Sequence, residues 1–156
     1  MASKANYTGR QFEKKVYSLL NCDLLTLATQ VKTVDVDGND FHIDLKVTSL
    51  HLDKPIIIEA KYQEVTGTVD QKLHYVFDTL DHLMRTMNSH GVLVYGGSHY
   101  TSLRVKNIIH SMSVRYPNVK SVRVDNVIDF VSKIVKDDKE RHKVGRGKTA
   151  AACNHP

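Results

Sequence analysis

No apolar run in the chain approaches the roughly 18 residues that would span a bilayer. The opening MASKANYTGRQ lacks the apolar stretch of a secretory signal. The expectation is therefore a cytosolic protein without a membrane partner. Cysteine is scarce: Cys22 and Cys153 cannot build a disulfide framework or a complete zinc site. Cys22 reads as a small buried apolar residue, and Cys153 with His155 falls in a segment too sparse to hold zinc. With three prolines and eight glycines, 41% hydrophobic and 25% charged residues, the composition excludes a collagen-like, coiled-coil or wholly disordered chain. No internal repeat or linker divides the 156 residues, which suffice for one domain and not for two well-cored ones.

Acids are missing where bases are not. From Val34 to Asp81 there are ten acids and four bases, whereas His82 to Val124 holds six bases and no acid. The last residues, Arg141 to Pro156, add Arg141, Lys143, Arg146 and Lys148, again without an acid. The net charge is +5, yet residues 1–140 carry 18 bases against 17 acids, so the end of the chain supplies nearly all of the excess. An acidic segment followed by a basic one suits a protein that holds a cation close to a phosphate backbone.

Hydrophobic spacing orders the elements. Thr8 with Gln11 makes a capping box before Phe12, Val16, Leu19 and Leu20 at helical spacing. Thr68 with Gln71 opens a second helix carrying Leu73, Val76, Phe77, Leu80 and Leu83. Between them lie strand-like stretches near Leu24–Val36, Phe41–Thr48 and Pro55–Tyr62, the first two joined by an Asp37-Gly38 turn. A strand at Gly91–Tyr95, a helix near Leu103–Arg115, a strand near Val119–Val124 and a helix near Val127–Val135 follow. The order αβββαβαβα predicts an α/β or α+β domain over residues 1–136, with a mixed central sheet flanked by helices. Residues 137–156 read as a basic, frayed or disordered tail.

Charge interrupts two of these strands. Alternation places Phe41, Ile43, Leu45 and Val47 on one face, with His42, Asp44 and Lys46 on the other. In PIIIEAKYQ, Glu59, Lys61 and Gln63 share a face opposite Ile56, Ile58 and Ala60. A turn that pairs Thr48 with Pro55 sets Asp44 across from Glu59, about 4.5–5.5 Å between Cβ atoms. Two carboxylates so placed repel unless a cation lies between them. Mg²⁺ is the natural one, a hard ion held by one or two carboxylates with positions left for water and phosphate oxygens. Lys61 would orient an attacking water or stabilise charge in the transition state. Asp35, Asp37 and Asp40 are rival first acids but fit turn or edge chemistry better.

Asp44, fourteen intervening residues and Glu59-Ala60-Lys61 resemble the D-x(n)-(D/E)-x-K signature of the PD-(D/E)XK nuclease superfamily, over roughly residues 8–97. The usual proline before the first acid is replaced here by Ile43. The resemblance implies a restriction-endonuclease-like αβββαβ core, followed here by further αβα elements. It implies a DNA endonuclease dependent on Mg²⁺, with Mn²⁺ able to substitute. Asp44 and Glu59 would be metal ligands, and Glu13 on the first helix fits the place of a third acid. Gln63, two residues beyond Lys61, would touch a metal water or a phosphate. A domain this small leaves little surface for a long DNA site, so a homodimer or higher homo-oligomer is expected. A restriction-like or homing-endonuclease-like enzyme is the leading expectation. The alternatives are a Holliday-junction resolvase of the same fold and a catalytically inactive, nucleic-acid-binding subunit.

Other motifs add DNA contacts rather than chemistry. Thr68 at a helix start, Ser98 after Gly96-Gly97, Arg104, Lys106, Arg141, Lys143, Arg146 and Lys148 are the expected phosphate contacts. The GRGK of 145–148 is no phosphate loop, since a preceding strand is missing. Nine histidines show neither H-E-x-x-H nor zinc-finger spacing.

Overall fold

The computed structural model describes residues 8–64 and 69–150, the side chains of 69, 70 and 144–150 excepted. Helix α1 (Gly9–Leu20) starts at the expected capping box. The Gln11 amide donates to Thr8 Oγ1 at 3.3 Å, and the Thr8 amide donates to Gln11 Oε1 at 2.7 Å. Strands β1 (Thr26–Val34), β2 (Asp40–Thr48) and β3 (Ile56–Tyr62) follow, then α2 (Val69–Thr86), β4 (His90–Gly96), α3 (Leu103–Arg115), β5 (Lys120–Arg123) and α4 (Val127–Ala150). Sheet order equals chain order: β1, β2 and β3 are antiparallel neighbours, and β3, β4 and β5 are parallel ones. The fold is α+β, a mixed five-stranded sheet between two helical layers.

The apolar run of β3 belongs in the centre of that sheet, where helices cover both faces and polar alternation is not required. Ile56, Ile58 and Ala60 pack with Phe12, Val16 and Leu20 of α1 and with Val127 and Val131 of α4. Ile57 packs on the other side, with Leu73, Phe77 and Leu80 of α2 and with Val105 and Ile109 of α3. The crossovers β3–α2–β4 and β4–α3–β5 leave the carboxyl ends of three parallel strands at one end of the sheet.

Three expectations need correction. Phe41, Ile43, Leu45 and Val47 do not share a face: Phe41 and Ile43 pack on the α2–α3 side, Leu45 and Val47 on the α1–α4 side. The strand changes face at Asp44. Residues 137–150 are not a disordered tail but continue α4. Three of their residues are anchored: the fully buried Asp138 accepts the Asp53 amide at 3.0 Å and pairs with Arg141, while His142 meets Asp53 at 2.5 Å. Cys22 is exposed rather than buried, because it falls in the turn after α1 and outside the core. Among the described residues no helix is long and apolar enough to cross a membrane.

Candidate active site

The register of β2 and β3 pairs Leu45 with Ile58 and Val47 with Ile56, the offset that brings Asp44 level with Glu59. At that level the backbone ladder stops and the carboxylates take over its hydrogen bonds. The Ala60 amide donates to Asp44 Oδ2 at 2.8 Å, and the Asp44 amide donates to Glu59 Oε1 at 3.3 Å. The strands part here, yet buried amide groups keep partners.

Lys61 closes the arrangement. Its Nζ lies 2.9 Å from Glu59 Oε2 and 3.7 Å from Asp44 Oδ2. This is not a surface ion pair, since the Glu59 side chain is 3% exposed and that of Asp44 11%. Burial, with the nearby Asp44 charge, pushes the Glu59 carboxyl up to about 7 against the opposing pull of Lys61. Burial alone would lower the Lys61 ammonium, but the Glu59 and Asp44 carboxylates outweigh it and hold it above the ordinary lysine value. Held this way, Lys61 donates a hydrogen bond to Glu59 and faces Asp44 as an opposite charge.

Glu13 approaches from α1. Desolvation and the charge of Asp44 raise its pKa, while Lys61 and Arg10 oppose them. Gln30 of β1 donates from Nε2 to Glu13 Oε2 at 3.3 Å. Two cavities flank this carboxylate. One of about 350 Å³ is lined by Arg10, Glu13, Lys14, Gln30 and Asp44. The other, about 190 Å³, is lined by Glu13, Lys61, Gln63, Lys72 and Tyr100.

A profile of the PD-(D/E)XK nuclease superfamily domain matches residues 3–137. The chain belongs to that superfamily. Among solved structures, the small subunit of the heterodimeric restriction endonuclease R.BspD6I is similar at 16% identity, TM-score 0.45, over 94% of this chain and 78% of that one. Protein VC1899 from Vibrio cholerae is similar at 13% identity, TM-score 0.39, over 83% of this chain and 32% of that one. No curated protein matches.

The three residues expected from the sequence signature, Asp44, Glu59 and Lys61, converge at one break in the sheet. Glu13 stands beside them. Gln63 lines the smaller cavity with its backbone fixed, its amide donating to Gly96 O and its carbonyl accepting from His99, both at 3.1 Å. Gly97 is packed too tightly on that backbone for any other residue: an added Cβ would lie 2.2 Å from Gln63 O, and φ is +97°. Gly97 therefore serves a contact within the fold. Ser98, whose hydroxyl donates to Glu64 O at 2.8 Å, and exposed Arg104 and Lys106 at the start of α3 lie at the site's end of the sheet. Arg141 does not, being paired with Asp138 and Asp53 by the β2–β3 turn at the opposite end. Lys143 is exposed farther along α4, Thr68 lies outside the described residues, and so do the side chains of Arg146 and Lys148.

Arg10, Lys14, Gln30 and Lys72 were not legible as site residues. The spacing of Arg10, Glu13 and Lys14 on one helical turn was the available signal for two of them. Among the described residues no three His, Cys, Asp or Glu side chains are gathered as a metal cage. The donor set nonetheless fits Mg²⁺, which takes one or two carboxylates and keeps its remaining positions for water and phosphate. Asp44 and Glu59 would supply the two, and the Lys61 ammonium lies 2.9 Å from Glu59 Oε2 and 3.7 Å from Asp44 Oδ2.

Proposed function

We propose that the protein is a Mg²⁺-dependent DNA endonuclease, restriction-like or homing-endonuclease-like, in which Mn²⁺ can replace Mg²⁺. The observation that carries this is the buried Asp44–Glu59–Lys61 cluster at a break in the sheet, where unused charges would be costly. Asp44 and Glu59 would hold the ion, with Glu13 beside them as a third acid. When bound, Mg²⁺ supplies positive charge to the phosphate and lowers the pKa of a coordinated water. Lys61 donates to the attacking water or to a phosphate oxygen and opposes the negative charge that builds there. Gln63 steadies water or phosphate from the same side. Attack by the water oxygen on phosphorus breaks the bond to the departing sugar oxygen. Arg10, Lys14 and Lys72 around the acids, with Arg104 and Lys106 on α3, contact backbone phosphates.

The active form is a homodimer or higher homo-oligomer, which presents two sites to two strands; light scattering coupled to size exclusion measures its mass. Plasmid, four-way-junction and single-stranded DNA incubated with Mg²⁺ or EDTA test the activity. Defined plasmid fragments are expected, lost in EDTA and reduced on the order of 10²-fold or more by Asp44→Ala and by Lys61→Ala. Symmetric nicking of the junction alone would make the protein a resolvase. Binding that persists in EDTA, with no product under any divalent metal, would make it an inactive nucleic-acid-binding subunit.

A further inference from the structure

Two non-glycine residues among those described have left-handed backbones, Gln30 at φ 50° and Asn88 at φ 47°. Asn88 is ordinary: it follows α2, whose end is closed by bonds from Met87 to Leu83 O and from Ser89 to Met84 O, and asparagine suits a helix C-terminus. Gln30 has no such excuse. It lies in the interior of β1, where a left-handed residue costs about 1–2 kcal/mol. Strain kept at an interior strand position calls for a function.

Its position in the pairing supplies one. The β1–β2 register runs from Thr29 with Leu45 to Val31 with Ile43 at constant offset, so Gln30 stands level with Asp44. Leu27 packs on the α1–α4 side and Val31 on the α2–α3 side. β1 therefore changes face at Gln30 just as β2 does at Asp44, without an inserted residue. A glycine would make this turn at lower cost. Glutamine adds a side-chain amide, and that amide donates to Glu13 Oε2 at 3.3 Å.

We propose that Gln30 is a positioning residue, whose left-handed backbone places its amide on Glu13 and holds that carboxylate beside Asp44. The amide is a neutral donor. It fixes the carboxylate against repulsion from Asp44 without supplying the charge that a divalent cation would bring, as a lysine in its place would. This rests on the reading of the site as a metal-dependent nuclease and assigns to that site a residue from outside the D-x(n)-(D/E)-x-K signature.

Gln30→Gly separates the two contributions, since it keeps the backbone conformation and removes the amide. Thermal unfolding in EDTA is expected to show the variant at least as stable as wild type, because the strain is relieved. Mn²⁺ affinity, read by titration calorimetry without DNA, is expected to fall about tenfold or more, the scale of an outer-shell ligand contact. In a Glu13→Gln background the same change is expected to add nothing. Wild-type Mn²⁺ affinity in Gln30→Gly, or a loss that adds fully to that of Glu13→Gln, would overturn the proposal. Failure of the nuclease reading is visible separately: wild-type protein would then bind no Mn²⁺ and cut no DNA, and both would fall together.

Discussion

Two carboxylates facing one another across a parted pair of strands repel, and in this protein Lys61 is the side chain that reconciles them. Removing it leaves two poorly solvated acids without a partner, which in buried sites costs about 3–5 kcal/mol. Lys61 is 33% exposed, so screening reduces the expected loss for Lys61→Ala to about 1–3 kcal/mol. The loss should shrink when millimolar Mg²⁺ is added, because a cation bound to the folded state replaces the missing charge and stabilises by mass action. Lys61→Arg, which keeps the charge, should lose less. Urea unfolding of wild type and both variants, in EDTA and in Mg²⁺, measures this. Equal stability of Lys61→Ala and wild type in EDTA would mean that the two acids are not both charged in the folded protein.

At the scale of elements, the β1–β2 connection is held by one side chain. Asp35 Oδ1 accepts the amides of Asp37 and Asn39 at 2.9 and 2.8 Å, and Asp35 Oδ2 accepts the Tyr75 hydroxyl at 2.5 Å, tying the hairpin to α2. The Tyr75 hydrogen bond, aided by the amides of Asn39 and Asp37, keeps the Asp35 carboxyl below its usual range. The sign follows: a depressed acid stabilises the fold above the unfolded value, about pH 4, and ceases to do so as pH falls through the folded one. Asp35→Asn should thus lower Tm by a few degrees at pH 7, and the gap to wild type should narrow as pH falls below the unfolded value. A gap independent of pH would show that the shape of the turn, not the charge, is what matters. Asp35 was legible as turn chemistry because Asp-Gly punctuates an alternating pattern, and the register of β2 and β3 followed from the same kind of count. The face change at Gln30 and Asp44 was not legible, since alternation assumes an unbroken strand and nothing in TLATQVKTV announces a left-handed residue. The length of α4 was missed for another reason. The turns carrying Asp138, Arg141 and His142 are fixed by Asp53, remote in sequence, while their composition alone reads as solvated tail.

For the molecule as a whole, the sheet has two chemically different ends, and the net charge of +5 does not say which one would meet DNA under the proposed function. At one end, Arg10 and Lys14 line a cavity with Asp44, and Lys72 lines the neighbouring one with Lys61. At the other, Arg141 is consumed by Asp138 and Asp53 in fastening α4 to the β2–β3 turn. An arginine already held by a fully buried acid has little to offer a phosphate, whereas an exposed lysine beside the proposed metal site would release a counterion. Lys14→Ala should therefore weaken duplex binding and reduce the slope of log K against log salt by about 1. Arg141→Ala should leave affinity and slope unchanged but lower Tm, because truncation strands the charge of Asp138. Fluorescence anisotropy across a salt series in EDTA, where no strand is cut, reads the first pair of quantities, and thermal unfolding reads the last. If Arg141→Ala reduced the salt slope as much as Lys14→Ala, DNA would have to reach both ends of the sheet, and a single domain could not present them on one face.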